Sequence, residues 1–202
     1  MHNELQRIFS GESQVRYGEN IQAVISYLRA GKESSTLDKS DKHFKSEETE
    51  RLKNYIEIHK LWRTDIDLNN YVSEGAEQKV YLKGSRSVVK LNDAIYYLSW
   101  VDYFVSLLLN NYFFPDTAYN LLGFFENEDV VYAVVEQPFV KADEPTNLGF
   151  VEQFLNSNGF QKIRNNDYFN PELGIILEDL HDENVLTYKG VLYFIDTVFY
   201  LK

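Results

Sequence analysis

The hydrophobic period of this chain changes near residue 71, and a chain that changes period must join helices to strands. Before that point apolar residues recur at helical spacing. In "NIQAVISYLRAG", Ile21, Val24, Ile25 and Leu28 share one face and Gly31 is a stop. "KESSTLDKSDK" reads as a polar linker. "SEETERLKNYIEIHKLW" predicts a second helix with Ser46 as its N-cap, acids in its first turn, and Leu52, Tyr55, Ile56 and His59 on one face. His59 has no partner motif around it and reads as a packed or interfacial histidine, not a ligand.

After "DIDLNN" the pattern turns to strands. "KVYL" and "SVVKL" flank "KGSR" as a hairpin. "AIYYLSWVDYFVSLLLNNYFF" returns to helix, with Leu98, Val101, Val105, Leu108 and Tyr112 on one stripe and Pro115 limiting its end. "YNLLGFF" and "VVYAVVEQPFV" flank "ENED" as a second hairpin. A short helix around Val151 to Asn156 follows, then the short strands "GIILE" and "VLYFI". The order predicts an α+β fold with an antiparallel sheet ahead of an acidic loop.

Composition narrows the ligands. The chain has 202 residues, enough for a real core, and its 15 Tyr and 14 Phe predict an aromatic one. It has no cysteine, which removes disulfides, thiolate metal sites and thiol nucleophiles. No basic-headed apolar leader and no membrane-length apolar run is visible, so a soluble, cytoplasmic protein without membrane contact is expected. Of the net charge of −11, residues 71–202 carry −10, and no Lys or Arg occurs from Leu91 to Val140. Such a surface repels a phosphate backbone, so no nucleic-acid partner is expected. An anionic ligand would need local positive charge or a metal ion.

The acidic loop is "EDLHDENVL", Glu178 to Leu186, followed by "VLYFIDT", Val191 to Thr197. Turn chemistry accounts for part of its polarity. "DLHDENVL" is also similar to the catalytic loop of the protein-kinase-like superfamily, in which an Asp is followed five residues later by an Asn. Its Asp-Leu-His start resembles that of aminoglycoside phosphotransferases and choline kinases. The Asp of "FIDT", twelve residues after Asn184, looks like the superfamily's metal-binding Asp. "SEGAEQKVY" resembles a reduced nucleotide-covering loop, "SVVK" the strand with the phosphate-pairing lysine, and "VVYAVVEQPFV" the strand and hinge that hold adenine. With its helical preface the chain resembles the kinase-like modules of polyvalent proteins from phages and conjugative elements, over roughly residues 66–202.

That resemblance implies a minimal kinase-like fold: an antiparallel N-lobe sheet with one helix over 66–140, a truncated C-lobe over 141–202, and a helical N-terminal extension over 1–65. It implies ATP and Mg²⁺, with Asp179 orienting an acceptor hydroxyl and His181 bonding Asp179 or a transferred phosphate oxygen. Asn184 and Asp196 would hold the metal. Lys90 would meet the phosphates under the backbone of Gly75, Ala76 and Glu77, and the hinge at Glu136 and Pro138 would meet the base. Kinases pair the strand lysine with a helical Glu; Asp102 is the one helical candidate here, because Asp93 is too close to fold back on Lys90. Leu177 stands where His or Tyr is common, and the covering loop has a single Gly. The expected activity is an ATP/Mg-dependent phosphotransferase with an unassigned acceptor. The alternatives are an inactive nucleotide-binding or interaction module of a mobile element, or a toxin–antitoxin component docking another chain through residues 1–65.

Overall fold

A computed structural model describes residues 2–31, 41–75 and 78–202. Three helices open the chain: α1 (His2–Ser10), α2 (Gly18–Ala30) and α3 (Asp41–His59). The stripe read from α2 is the buried one, with Ile21, Val24, Ile25 and Leu28 closed to solvent. Residues 32–40 of the expected linker lie outside the described residues, and its last two residues open α3. α3 begins at Asp41, so Ser46 lies inside the helix and not at its cap; no Pro or Gly in "DKHFK" stops it earlier. Leu52 and Ile56 are buried, and the His59 ring packs on Tyr55 at a centroid distance of 4.2 Å.

Five strands form an antiparallel sheet in the order β1-β2-β3-β5-β4: β1 (Tyr71–Glu74), β2 (Gln78–Lys83), β3 (Ser87–Asn92), β4 (Asn120–Asn127) and β5 (Val130–Pro138). Both expected hairpins are present. The β4–β5 turn places Glu128 and Asp129 at φ 50° and 63°, the left-handed pair that matches strand twist in a two-residue hairpin. Register sets Lys90 of central β3 between Val80 and Val135. Against the outer side of β4 runs the connection from α3, where Arg63 N donates to Phe124 O at 2.7 Å and Phe124 N to Leu61 O at 2.9 Å. Only glycine fits at position 123 there: φ is 147°, and a Cβ would lie 2.3 Å from Leu61 O.

Helix α4 (Trp100–Phe113) starts later than its apolar pattern suggests. Asn92 and Asp93 accept from Ala94 N and Ile95 N at 2.7 and 3.0 Å, which turns the chain, and Ser99 then caps the helix by accepting from Asp102 N at 3.0 Å. Leu98 is therefore 69% exposed instead of joining the stripe. Pro115 does end the helix. Trp100, Tyr103 and Phe104 build the aromatic core expected from composition.

The rest of the chain comprises α5 (Leu148–Ser157), β6 (Gln161–Arg164), β7 (Asp167–Asn170), β8 (Ile175–Glu178), β9 (Val185–Tyr188), β10 (Val191–Phe194) and β11 (Val198–Leu201). β6, β7, β8 and β11 form a four-stranded antiparallel sheet in the order β11-β8-β7-β6, and β9–β10 is a separate hairpin. Where one helix was read between hinge and acidic loop, a helix and the β6–β7 hairpin are found. The whole is a mixed α+β fold consistent with a small kinase-like module behind a helical region.

That helical region is not loosely appended. A single buried cluster runs from Leu5 to Phe199 through α2, α3 and α4. Buried Glu48 of α3 accepts from Trp100 N at 2.5 Å at the start of α4, and Lys45 donates to the carbonyls of Ala94 and Tyr97, the latter at 2.9 Å. Among the described residues, no helix is long and apolar enough to cross a membrane.

Candidate functional site

The site is built where β3 faces the two loops flanking β9–β10. Lys90 is 4% exposed on its central strand, with its stem packed in the sheet and its ammonium aimed out of it. The ammonium donates to Ile195 O at 2.9 Å, stands 3.6 Å from Asp196 Oδ1, and lies 5.4 Å from the Tyr119 ring centroid. Tyr119 supports the same carbonyl, its hydroxyl donating to Ile195 O at 2.7 Å. Burial, reinforced by the Asp196 charge, pushes that phenol well above its usual range, so it stays a donor.

Asp196 follows β10, and one residue earlier the backbone ties this loop to the acidic one: Ile195 N donates to Asn184 O at 2.9 Å. Asn184 in turn donates through Nδ2 to the backbone O and to Oδ2 of Asp179, both at 2.9 Å. A continuous chain of contacts thus runs Lys90, Asp196, Ile195, Asn184, Asp179 across more than a hundred residues of sequence.

Asp179 has φ 67°, a conformation uncommon for a residue with a Cβ, and it is held from several directions. Its N–H donates to Asp167 Oδ1 at 3.2 Å, and its O accepts from His181 N at 3.0 Å as well as from Asn184. His181 Nδ1 accepts from Glu183 N at 3.2 Å, which leaves the ring proton on Nε2, 3.2 Å from Asp179 Oδ1. Of the two expected partners of His181, the structure displays Asp179. The next carboxylate, Glu178, is pushed above its usual range by burial and then by the neighbouring charges of Asp167 and Asp179.

Two cavities meet here. One, of about 340 Å³, is lined by aliphatic Val80, Val88, Leu186 and Ile195 together with Lys90 and the Gln137–Val140 segment. Its shape and lining suit a flat base with a charged tail. The other, of about 680 Å³, is polar and holds Asp179, His181, Glu178 and Asp167 opposite Tyr96 and Tyr200. Gly75, Gln78, Asn184 and Asp196 line both.

The remaining expected residues fall variously. Pro138 lines the smaller cavity, and Gly75 lines both. Ala76 and Glu77 lie outside the described residues. Glu136 does not face the cleft: its side chain takes Lys83 at 2.8 Å and Ser87 at 2.7 Å on the other face of β5, because neighbouring strand positions alternate. Asp102 is turned away as well. Its carboxylate accepts from the Ser99 hydroxyl at 2.7 Å in the first turn of α4, where a helix favours negative charge, while Asp196 places a carboxylate oxygen 3.6 Å from the Lys90 ammonium. Sequence reasoning missed Asp167, Tyr119 and Gln78. Only Gln78 stood inside a motif, and its partner, Asp196, is 118 residues away.

The donor set fits a hard divalent cation. With Nδ2 of Asn184 committed to Asp179, its Oδ1 is the atom left for a ligand, and Asn184 and Asp196 line the same two cavities. Among the described residues no cluster of three or more His, Asp or Glu forms a self-sufficient metal cage. Mg²⁺ does not need one, since it commonly takes its other ligands from phosphate and water.

A family model described as serine/threonine/tyrosine kinase found in polyvalent proteins, Kinase-PolyVal, matches residues 45–202. No curated protein and no solved structure matches the chain. The match starts within α3, ahead of the stretch that carries the sequence resemblance.

Proposed function

We propose, since this chain belongs to the Kinase-PolyVal family of serine/threonine/tyrosine kinases found in polyvalent proteins, that it transfers the γ-phosphoryl group of ATP, with Mg²⁺, to an acceptor hydroxyl. The observation that carries this reading is the contact chain from Lys90 through Asp196 and Asn184 to Asp179 along two joined cavities. Phosphoryl transfer asks mainly for positioning and charge neutralisation, and that is what these groups offer.

In this reading the smaller cavity takes the base and ribose, and Lys90 meets the α- and β-phosphates. Mg²⁺, when bound at Asn184 and Asp196, supplies charge neutralisation at the phosphates. Asp179 accepts the acceptor's O–H; both its oxygens keep a lone pair beyond the ones given to Asn184 and His181. The acceptor oxygen bonds to phosphorus as the bond to the ADP oxygen breaks, and the proton passes to Asp179, a contribution worth about 10²–10⁴-fold in rate. His181 and Asn184 hold that carboxylate in place. The larger cavity is the acceptor side. Among the described residues, Asp167, Glu178, Asp179, Glu183 and Asp196 line it with one guanidinium, that of Arg164, which is paired with Asp167, a field that repels an anionic acceptor.

The second reading is a nucleotide-binding module without turnover, favoured by one feature: Lys90 has Asp196 beside it, while the helical carboxylate Asp102 faces Ser99. Transfer of label from γ-labelled ATP to Ser-, Thr- and Tyr-containing polypeptides, for wild type and Asp179→Asn, separates the two. Label that depends on Asp179 supports the kinase. Nucleotide binding with no label above the Asp179→Asn background favours the module. A protein partner for residues 1–65 would meet the outer faces of α1–α3, since their apolar stripes are packed inward.

A further inference from the structure

We propose that Tyr96 is the acceptor-contacting wall of the larger cavity and that Lys45 of α3 is the positioning residue that sets it; this rests on the acceptor role given to that cavity above. By helical spacing Lys45, Glu48, Thr49, Leu52 and Ile56 share one face of α3. Its far end is apolar, and Leu52 and Ile56 enter the core. Its near end is polar and meets the segment that opens α4. Glu48 accepts from Trp100 N at 2.5 Å, and Thr49 Oγ1 accepts from Trp100 Nε1 at 3.0 Å. One turn earlier, the Lys45 ammonium donates to Ala94 O and Tyr97 O, the latter at 2.9 Å.

Those two carbonyls bound a single turn, Ala94 to Tyr97, which Tyr97 N closes by donating to Ala94 O at 3.0 Å. Ala94 holds φ 56°, uncommon for a residue with a Cβ, and its N–H is taken by Asn92 Oδ1 at 2.7 Å. One cation thus ties the first carbonyl of the turn to the last and keeps Ala94 in that conformation. Tyr97 is anchored inward, its hydroxyl donating to Ser106 Oγ at 3.3 Å and its ring 6.0 Å from that of Tyr200. Tyr96, on the outer side of the turn, is 62% exposed and lines the larger cavity with Asp179. Neither Tyr96 nor Tyr97 lines the smaller cavity. Loss of the ammonium removes a donor from both carbonyls, lets Ala94 relax, and turns the Tyr96 ring out of the wall. The acceptor side changes and the nucleotide side does not.

The probes are synthetic Lys–Ser, Lys–Thr and Lys–Tyr copolymers, cationic to suit the cavity, with transfer from γ-labelled ATP followed against copolymer concentration for the full chain. The variants are Lys45→Met, which keeps the stem and removes the ammonium, Lys45→Arg, which keeps a cationic donor, Tyr96→Ala, and the double variant Lys45→Met/Tyr96→Ala. Lys45→Met and Tyr96→Ala are each expected to raise KM for the copolymer about tenfold, the scale of one lost aromatic contact, with kcat and the MgATP Kd unchanged. Lys45→Arg should stay near wild type. The double variant should match Tyr96→Ala alone, since Lys45 acts through that ring. A Lys45→Met chain with lower Tm and unmoved KM, or effects of the two substitutions that multiply, overturns the positioning role. An unmoved KM in Tyr96→Ala, at an exposed position that folding does not need, overturns the wall and spares the kinase reading. No label from wild type on any copolymer overturns the wall and the acceptor reading together.

Discussion

Removing the Glu48 carboxylate tests whether the helical region is part of the kinase-like module or a separate preface. Glu48 is 1% exposed, sits on α3, and accepts from Trp100 N at 2.5 Å at the start of α4. Glu48→Ala loses a helix cap worth about 0.5–2 kcal/mol and leaves a buried N–H whose desolvation costs about 1–3 kcal/mol. These overlap, so a total of about 2–3 kcal/mol is expected, or a Tm lower by about 4–12 °C at roughly 2–4 °C per kcal/mol for a chain of this size. Glu48→Gln keeps an acceptor oxygen and removes a charge that burial disfavours, so at pH 7 it should lie within about 1 kcal/mol of wild type. The pH profile fixes the sign. Burial raises the folded-state pKa of Glu48, against the opposing pull of the Trp100 N–H and Arg51. The folded chain then holds the proton more tightly, so this group's contribution to stability is full below the unfolded pKa and is lost as pH rises through the folded one. Differential scanning calorimetry from pH 4 to 7.5 should show the Gln variant gaining on wild type as pH rises. A Tm unchanged in Glu48→Ala, or parallel pH profiles for wild type and Gln, would refute the reasoning.

Gly123→Ala should destabilise the fold by about 1–3 kcal/mol, read by urea unfolding, because its φ of 147° and its 2.3 Å approach to Leu61 O leave no place for a methyl. Wild type should gain about 2.7 kcal/mol, seen as a Tm rise, at MgATP concentrations near 100 times its Kd. Lys90→Met should lose most of that rise while remaining folded, since the methionine stem fills the same space. Asp179→Asn should keep the rise and lower phosphoryl transfer by about 10²–10⁴-fold in a single-turnover assay. Asp167→Ala removes the acceptor that holds Asp179 N at 3.2 Å and should reduce transfer about tenfold or more without weakening the nucleotide-dependent Tm rise.

The elements easiest to read were those whose period is imposed by one burial face. The α2 stripe and the two hairpins of the five-stranded sheet stand where the pattern puts them, because helix and strand periods differ and the turns between them carry Gly84, Glu128 and Asp129 at positive φ. Boundaries were harder. Ser46 resembles a cap yet lies mid-helix, and Leu98 resembles core yet is exposed because Ser99 starts α4 after it. The short strands β6, β7, β9 and β11 span four residues each, too few for alternation to register, and their stability comes from partners. At the site, Asp179, His181, Asn184 and Asp196 were named from the spacing of one short stretch and Lys90 from the order of motifs, and the structure brings these five together. Glu136 and Asp102 were misplaced because a side chain's face depends on strand parity and on a capping bond that a motif does not encode. Asp167 and Gln78 act across contacts of 12 and 118 residues, beyond any local signal.

The most direct test is a crystal structure with a nonhydrolysable ATP analogue and Mg²⁺. The account predicts the base between Val88 and Leu186, the α- and β-phosphates at Lys90, and one cation shared by Asn184 Oδ1 and Asp196. A nucleotide bound elsewhere, or in the cleft with its phosphates away from Lys90 and no cation at Asp196, would contradict it.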